Sequence, residues 1–368
     1  MEKNQKRLIV FMPSMEGGGV EKNIIILSNY LKNHIDKITL ITFDNKFNKF
    51  FDKKIKILNS IENSKKKYSK YYKYFICLKL LWQEVIKFKN SSVISFQANI
   101  YCIMLSKIAN FDLIIRSNSS PTGWTKNKLK NFVFKKFFKI PKFIIVNSDD
   151  FKKELDKIFN VSSKTIYNPL NKNEIVQKSK ERIFIKIFQG KNTLKLINVA
   201  RFTDQKDHLT LLNAFKHIPE EINARLLLMG YGNNKKLILD FIKDNSLTNV
   251  VKVIDYQNNP YKYIAKADFF ILSSIYEGLP NVLLEAMTLK KLIISSNCPT
   301  GPKEILKNGK YGFLFRVGDH KDLLQKIIWC SKNKKINKIR IEDGFKSLKR
   351  FDYQLNCSKY LKLVNKII

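Results

Sequence analysis

The sequence predicts an α/β protein built from two doubly wound parallel sheets. Short apolar runs rich in Val, Ile, Leu and Phe alternate with longer segments of helical spacing. The strand-like runs are apolar almost throughout, as strands covered on both faces are, and the alternation begins afresh after Lys191. A chain of 368 residues also fits two domains, at roughly 100–200 residues each.

In the first half, Leu8–Met12, Ile38–Phe43, Val93–Phe96, Leu113–Ile115 and Phe143–Val146 read as strands, with helices over Val20–Lys32 and Tyr101–Ala109. In the second, Leu194–Ala200, Arg225–Met229, Val250–Ile254, Phe269–Leu272 and Leu292–Ser295 read as strands. Asp207–His217, Lys235–Asn245, Val282–Leu289 and Lys321–Cys330 read as helices. Between the halves lies Asn168-Pro169-Leu170, where the proline stops regular structure, then a polar stretch to about Asn192. The expected domains are 1–185 and 186–350, followed by a helix over 351–368, apolar on one face, that packs back on the first domain. Ligands of such sheets bind outside the carboxyl ends of the strands.

Composition narrows the function classes. Lys and Arg number 68 against 31 Asp and Glu, a formal net charge of +37. Such a field attracts polyanions, including anionic lipid and phosphorylated substrates. Lys, Asn, Ile and Phe are all over-used, as AT-rich coding also produces, so charge alone names no partner. Nucleic acid is not expected, because neither zinc-finger spacing nor an RNP-like aromatic strand occurs. Cys77, Cys102, Cys298, Cys330 and Cys357 are scattered and form no C-x-x-C pair, which suits a reducing cytosol and argues against a structural zinc. The first apolar run is too short for a signal peptide. No window approaches the ~18 uncharged apolar residues of a spanning helix.

The strongest motif is Ser273-Ser-Ile-Tyr-Glu277-Gly-Leu-Pro-Asn-Val-Leu-Leu-Glu285. It follows the strand Phe269–Leu272 and opens a helix. Gly278 and Pro280 shape the turn, and Asn281 is expected to cap the helix. Backbone N–H groups at a helix start hold hydroxyls or anions. Two carboxylates there accept hydrogen bonds from vicinal sugar hydroxyls; alone they equally fit a dipole-complementing helix residue beside a solvated loop residue. Asn198-Val-Ala-Arg201-Phe-Thr-Asp-Gln-Lys206-Asp puts Arg201 at the end of a strand and Lys206 at the start of the next helix. Two cations there can neutralise a diphosphate. Met15-Glu-Gly17-Gly18-Gly19-Val20-Glu21 is a glycine turn between strand and helix that lets backbone approach a ligand closely.

Glu277 through Glu285, with seven residues between, resembles the paired-glutamate motif of the family 4 retaining glycosyltransferases, which have the GT-B fold. The resemblance covers almost the whole chain. Asn198–Asp207 is similar to the family's phosphate-binding segment. Gly17–Glu21 is similar to its Gly-Gly-x-Glu loop over donor phosphates and acceptor. Val253-Ile254-Asp255-Tyr256 is similar to its nucleobase loop. Asn297-Cys-Pro299-Thr-Gly301-Pro302-Lys-Glu304 is similar to a stretch frequent in members that build lipid-linked or cell-surface glycans. In place of the histidine that many members carry in the first domain, this chain has Leu113-Ile-Ile-Arg116-Ser-Asn118.

The resemblance implies two Rossmann-like domains facing across a cleft, and transfer of a hexose or N-acetylhexosamine from a nucleotide-diphosphate sugar, UDP-linked by family expectation, with retention. Glu277, Arg201 and Lys206 would be catalytic. Glu285, Gly278, Leu279, Asn281, Gly18, Gly19, Ile254 and Tyr256 would bind the donor. Arg116, Asn118 and Glu21 are candidates for the acceptor or donor sugar. No Asp-x-Asp cluster occurs, so neither metal nor cofactor is expected. The acceptor implied is a glycan or polyprenyl-diphosphate glycan held by the first domain. Two basic aromatic segments there, Lys65–Phe75 and Trp124–Lys142, would rest on the anionic inner face of the cytoplasmic membrane. A non-catalytic or epimerase-type GT-B sugar-nucleotide-binding protein is the alternative.

Overall fold

Residues 6–15, 17–59, 68–118 and 128–368 are described by the computed structural model. One unit comprises Met1–Pro169 with Tyr353–Ile368, the other Leu170–Asp352. Glu16, Lys65–Lys67 and Trp124–Asn127, which belong to motifs singled out above, lie outside the described residues.

The first unit runs β1 (Arg7–Phe11), α1 (Gly19–Leu31), β2 (Lys37–Ile41), β3 (Lys56–Leu58), α2 (Lys70–Lys87), β4 (Ser91–Ser95), α3 (Asn99–Ala109), β5 (Leu113–Arg116), α4 (Lys128–Phe137), β6 (Phe143–Val146), α5 (Asp149–Phe159) and β7 (Lys164–Thr165). Its strands pair in the order β3-β2-β1-β4-β5-β6-β7, all parallel. The period-2 alternation of strand side chains divides the core in two. Leu8, Val10, Leu40, Ile94 and Ile114 face one side; Ile9, Phe11, Ile41, Val93 and Ile115 face the other. Both faces are buried, which is why the strands read as continuous apolar runs.

The second unit repeats the plan with α6 (Lys172–Ser179), β8 (Leu194–Val199), α7 (His208–Phe215), β9 (Ala224–Gly230), α8 (Lys235–Asp244), β10 (Val251–Asp255), α9 (Tyr261–Ile264), β11 (Phe269–Leu272), α10 (Asn281–Thr288), β12 (Leu292–Ser296), α11 (Pro302–Ile305), β13 (Phe313–Phe315), α12 (His320–Lys332) and α13 (Lys334–Ser347). The order is β10-β9-β8-β11-β12-β13, again parallel. In each sheet the strand order reverses once, between β1 and β4 and between β8 and β11.

The strands β3, β7 and β13 were not anticipated. They span only three, two and three residues at or near sheet edges, too short for a periodic signal. The break between units falls at Pro169, earlier than the expected 185. The reason is α6, which packs against α9 and α10 of the second unit. Entry and exit of that unit are pinned together: Leu170 N–H donates to Phe351 O at 2.8 Å, and Leu170 bridges Asp352 in parallel.

The last helix, α14 (Tyr353–Val364), lies in the first unit against α1. Cys357, Tyr360, Val364 and Ile367 join the cluster of Leu8, Leu27 and Ile38. Tyr360 is 1 % exposed. Its hydroxyl meets the Arg116 guanidinium, and burial pushes the phenol up to about 12. Tyr360→Ala should therefore cost on the order of 3–5 kcal/mol, and Tyr360→Phe about 1–3 kcal/mol by leaving a buried donor unmatched. Denaturant titration of the two variants checks this; a Tyr360→Phe variant as stable as wild type would show that the hydroxyl contributes nothing.

Candidate active site

At the reversal point of the second sheet, the segments after β8 and β11 lie side by side, because those two strands pair directly. The first carries Arg201 and Lys206. Strand β8 ends at Val199, so Arg201 stands two residues beyond it and is exposed. Lys206 closes a 3₁₀ turn over Asp204–Lys206, and the helix starts only at His208. Both cations thus sit on the connection itself rather than at the strand end and helix start. Asp207, at φ 44°, caps α7 through Thr210 N–H at 3.2 Å.

The second segment carries Glu277, which is buried although it is in a loop. Its Oε1 lies 2.5 Å from Lys206 Nζ, with the two side chains 8 % and 13 % exposed, and accepts from Ser274 Oγ–H at 2.6 Å. The backbones are stitched too. Ile275 N–H donates to Gln205 O at 2.8 Å, Gln205 Nε2–H to Tyr276 O at 2.8 Å and Ser273 Oγ–H to Lys206 O at 2.9 Å. The sequence separates Lys206 and Glu277 into two motifs; the fold makes them one ion pair.

Beneath this loop runs the segment after β12. Glu277 N–H donates to Pro299 O at 3.0 Å, and Thr300 Oγ1–H reaches Glu277 O at 2.9 Å and Gly278 O at 3.2 Å. Gly301 completes the contact: a Cβ there would lie 2.0 Å from Gly278 O and 2.7 Å from Pro280 Cδ. The Pro-x-Gly-Pro stretch is therefore the support of the paired-glutamate turn. Between them, burial and then the nearby Glu277 charge push the Cys298 thiol up to about 12.

Helix α10 begins at Asn281 with Pro280 in the capping position, so Asn281 is not the cap expected from the sequence. Pro280, at φ −70° and ψ 106°, already makes the turn into the helix. Glu285 comes one turn later and is buried, with the Tyr261 hydroxyl 3.5 Å from its Oε1. Leu279 is buried and Gly278 half-buried. At the neighbouring strand ends, Tyr256 follows β10 and Tyr231 follows β9. Their rings meet edge to face at 6.0 Å and both are partly exposed; Ile254 is half-buried within β10. The Arg201 turn packs on the Gly230-Tyr231-Gly232 corner, where a Cβ on Gly230 would lie 1.8 Å from Ala200 O. Sequence reasoning passed over this corner, although two glycines flanking a tyrosine at a strand end were its signal.

Behind the turn, His208 is buried beside Phe202. Its Nε2 lies 3.1 Å from Asn198 Oδ1, and Asn198 Nδ2–H donates to Ile271 O at 2.8 Å, joining β8 to β11. Burial and then the Lys206 charge push the imidazole down to about 4.

In the first unit, the glycine turn follows β1. Gly17 takes φ 94°, Gly18 caps α1, and the Glu21 carboxylate folds back to accept from Gly17 N–H at 3.3 Å. Asp44 accepts from Met15 N–H at 2.8 Å and Gln97 from Ser14 N–H at 2.9 Å, two supports that the sequence did not reveal. Arg116, at the end of β5, is 1 % exposed. Its guanidinium donates to Asn118 Oδ1 at 2.7 Å and to Asn168 Oδ1, while Asn118 Nδ2–H donates to Phe96 O at 2.7 Å. Arg116 and Asn118 thus form one cluster with Asn168, in which Arg116 and Asn168 are buried and Asn118 half-buried. Among the described residues, no group of three or more His, Cys, Asp or Glu side chains is placed to hold a metal ion.

Residues 179–347 match the family described as glycosyl transferases group 1. An uncharacterized glycosyltransferase of Methanocaldococcus jannaschii is 29% identical over 346 residues, covering 85% of this chain and 80% of its own. An N-acetylgalactosamine-N,N'-diacetylbacillosaminyl-diphospho-undecaprenol 4-alpha-N-acetylgalactosaminyltransferase of Campylobacter jejuni is 27% identical over 248 residues, 65% of this chain and 66% of its own. Among solved structures, HepE of Anabaena in complex with UDP and glucose superposes with a TM-score of 0.80 at 17% identity, over 98% of this chain and all 100% of that one.

Two outcomes are expected from this geometry. Removing one member of a buried ion pair strands the other, at about 3–5 kcal/mol. Lys206→Met and Glu277→Gln should each destabilise, and the double variant should lose clearly less than their sum; additive losses in a double-mutant cycle would show no coupling. His208 holds its proton less well folded than unfolded, so the stability it confers is complete above about pH 6.5. That stability falls as pH drops toward about 4, by about 3 kcal/mol in all. The difference between wild type and His208→Gln, followed by denaturation from pH 7 to 4, isolates it; parallel curves would refute the assignment.

Proposed function

We propose that this chain, whose residues 179–347 match the group 1 glycosyl transferases and whose fold is GT-B, is a retaining transferase of bacterial glycan assembly. It moves a hexose or N-acetylhexosamine from a UDP-linked sugar to a hydroxyl of a lipid-linked or cell-surface glycan. The observation that carries this reading is the reversal point between β8 and β11, where Arg201, the Lys206–Glu277 pair and the α10 start bearing Glu285 occupy neighbouring strand ends. That is where open α/β sheets take ligands.

In the proposed reaction the bond between C1 of the sugar and the diphosphate oxygen breaks. The acceptor oxygen bonds to C1 from the same face, and its proton passes to the leaving phosphate. Arg201 and Lys206 stabilise the charge that grows on the diphosphate. Arg201 is exposed and ready to do so, whereas Lys206 is held by Glu277. An arriving diphosphate competes for Lys206, and each step by which the lysine turns to it frees a Glu277 oxygen for the sugar hydroxyls. Glu285 takes the ribose, Gly278 to Asn281 line the sugar, and Ile254 and Tyr256 take the base. Gly18, Gly19 and Glu21 are assigned to donor phosphates or acceptor by resemblance; Arg116 and Asn118, candidates for the same contacts, are engaged by Asn168 and Phe96 O and hold the end of β5.

The donor and acceptor assignments draw on relatives and neighbours. HepE was crystallised with UDP and glucose. The Campylobacter relative is named for transfer to a diphospho-undecaprenol glycan, and another of Escherichia coli is a UDP-Gal:alpha-D-GlcNAc-diphosphoundecaprenol galactosyltransferase. No helix is long and apolar enough to cross a membrane among the described residues. On the strength of these lipid-linked acceptors we place the enzyme peripherally on the cytoplasmic leaflet.

A panel of nucleotide sugars with membrane lipid extract as acceptor, read by product mass and linkage, tests the reading; an inverted anomer would overturn retention. In the same assay Arg201→Ala and Glu285→Gln should each lower kcat/KM on the order of 10²–10³-fold. Near wild-type rates in both would remove the site assignment.

A further inference from the structure

Helices that cover a parallel sheet ordinarily present polar side chains to water. Helix α2 does not. Its outward stripe, at the i, i+4, i+8, i+11, i+15 spacing of one helix face, is Tyr71, Phe75, Lys79, Trp82 and Ile86, with Tyr71 74 % and Phe75 67 % exposed. Neighbouring α3 continues it with Tyr101, Met104 and Ile108, the last 70 % exposed. The two stripes are joined through Tyr74, whose ring meets Tyr71 at 6.5 Å and Tyr101 at 6.2 Å. Scattered apolar side chains on a surface need no explanation, but a contiguous two-helix face does.

The charges around this face have one sign. Lys79 lies within it, and Lys70, Lys87 and Lys107 stand on the same two helices. The single carboxylate on the two helices, Glu84, is buried and paired with Lys56 at 2.9 Å. We propose that this α2–α3 face is a docking surface for an anionic phospholipid bilayer, with aromatic and aliphatic side chains entering the headgroup boundary and lysines on the phosphates. The charge selects this occupant. A second copy of a chain with net charge +37 would bring lysines against lysines. Ile86, Met104 and Ile108 have no ring to stack on a nucleobase.

The face also has an address. Near the Tyr71 end of the stripe, Lys73 pairs with Asp44 at 2.7 Å, and Asp44 in turn holds Met15 N–H beside the glycine turn. The stripe therefore begins at the carboxyl end of the first sheet. Its purpose, delivering a membrane-borne acceptor to that end, rests on the proposed function; its existence does not.

Flotation of the full chain with phosphatidylglycerol-containing vesicles, against phosphatidylcholine vesicles, tests it at low and high salt. The expected result is binding to the anionic vesicles that weakens with salt and falls about tenfold or more in Phe75→Ser/Ile108→Ser. Lys79→Glu/Lys107→Glu should lose the salt-sensitive part, with thermal midpoints unchanged in both variants. Equal binding by wild type and both variants would overturn the proposal, as would equal binding to neutral vesicles or a wild-type dimer that the serine variant dissociates. Loss of flotation alongside transfer to detergent-dispersed lipid acceptor would discard the face and keep the acceptor assignment. Flotation with transfer only to a water-soluble glycan would do the reverse.

Discussion

A lysine and a glutamate, 71 positions apart in the chain, meet at 2.5 Å behind the strand ends of the second sheet. Much of the site's geometry follows from that contact. Two ions this buried persist only when each is matched, because their desolvation costs more than an isolated charge recovers. The match is made from three directions: Ser274 on the carboxylate, the Gln205–Ile275 and Gln205–Tyr276 bonds between the segments, and the Thr300 hydroxyl on the loop carbonyls. Fixing the pair also fixes the turn that starts α10, and so the place of Glu285 one turn on.

The supports are largely small side chains and backbone. Gly301 and Gly230 allow approaches that any Cβ would block. A site whose walls are backbone carbonyls and N–H groups is preorganised without long side chains to order, so little entropy is lost when a ligand arrives. The first unit uses another device at its own reversal point, where the Asp44 and Gln97 side chains hold the backbone ahead of the glycine turn.

Much of this was legible in the sequence, for a physical reason. Parallel strands buried on both faces are largely apolar, so the long central strands could be read, although β4 opens on two buried serines and its start was placed at Val93. Edge strands such as β7 bury less and carry no pattern. The segments that carry chemistry were also legible, because turns at strand ends need glycine and proline and ligand contacts need charge. What could not be read was pairing. Lys206 with Glu277, Arg116 with Asn168 and Tyr360, and Thr300 under Gly278 are long-range contacts fixed by strand order, which no local spacing encodes. The helix start at Asn281 was misplaced because asparagine is a common cap, and the proline before it had already made the turn.

The return of α14 to the first unit has a consequence for biosynthesis. A nascent chain emerges amino end first, at about 5–20 residues per second. The side chains that close one face of the first core, Tyr360, Val364 and Ile367, appear only after the whole of the second unit. The second unit, contained within Leu170–Asp352, has all its own strands before then. The unit translated first is thus completed last: on the ribosome the first sheet waits with Leu8, Leu27 and Ile38 incompletely covered while its younger neighbour folds.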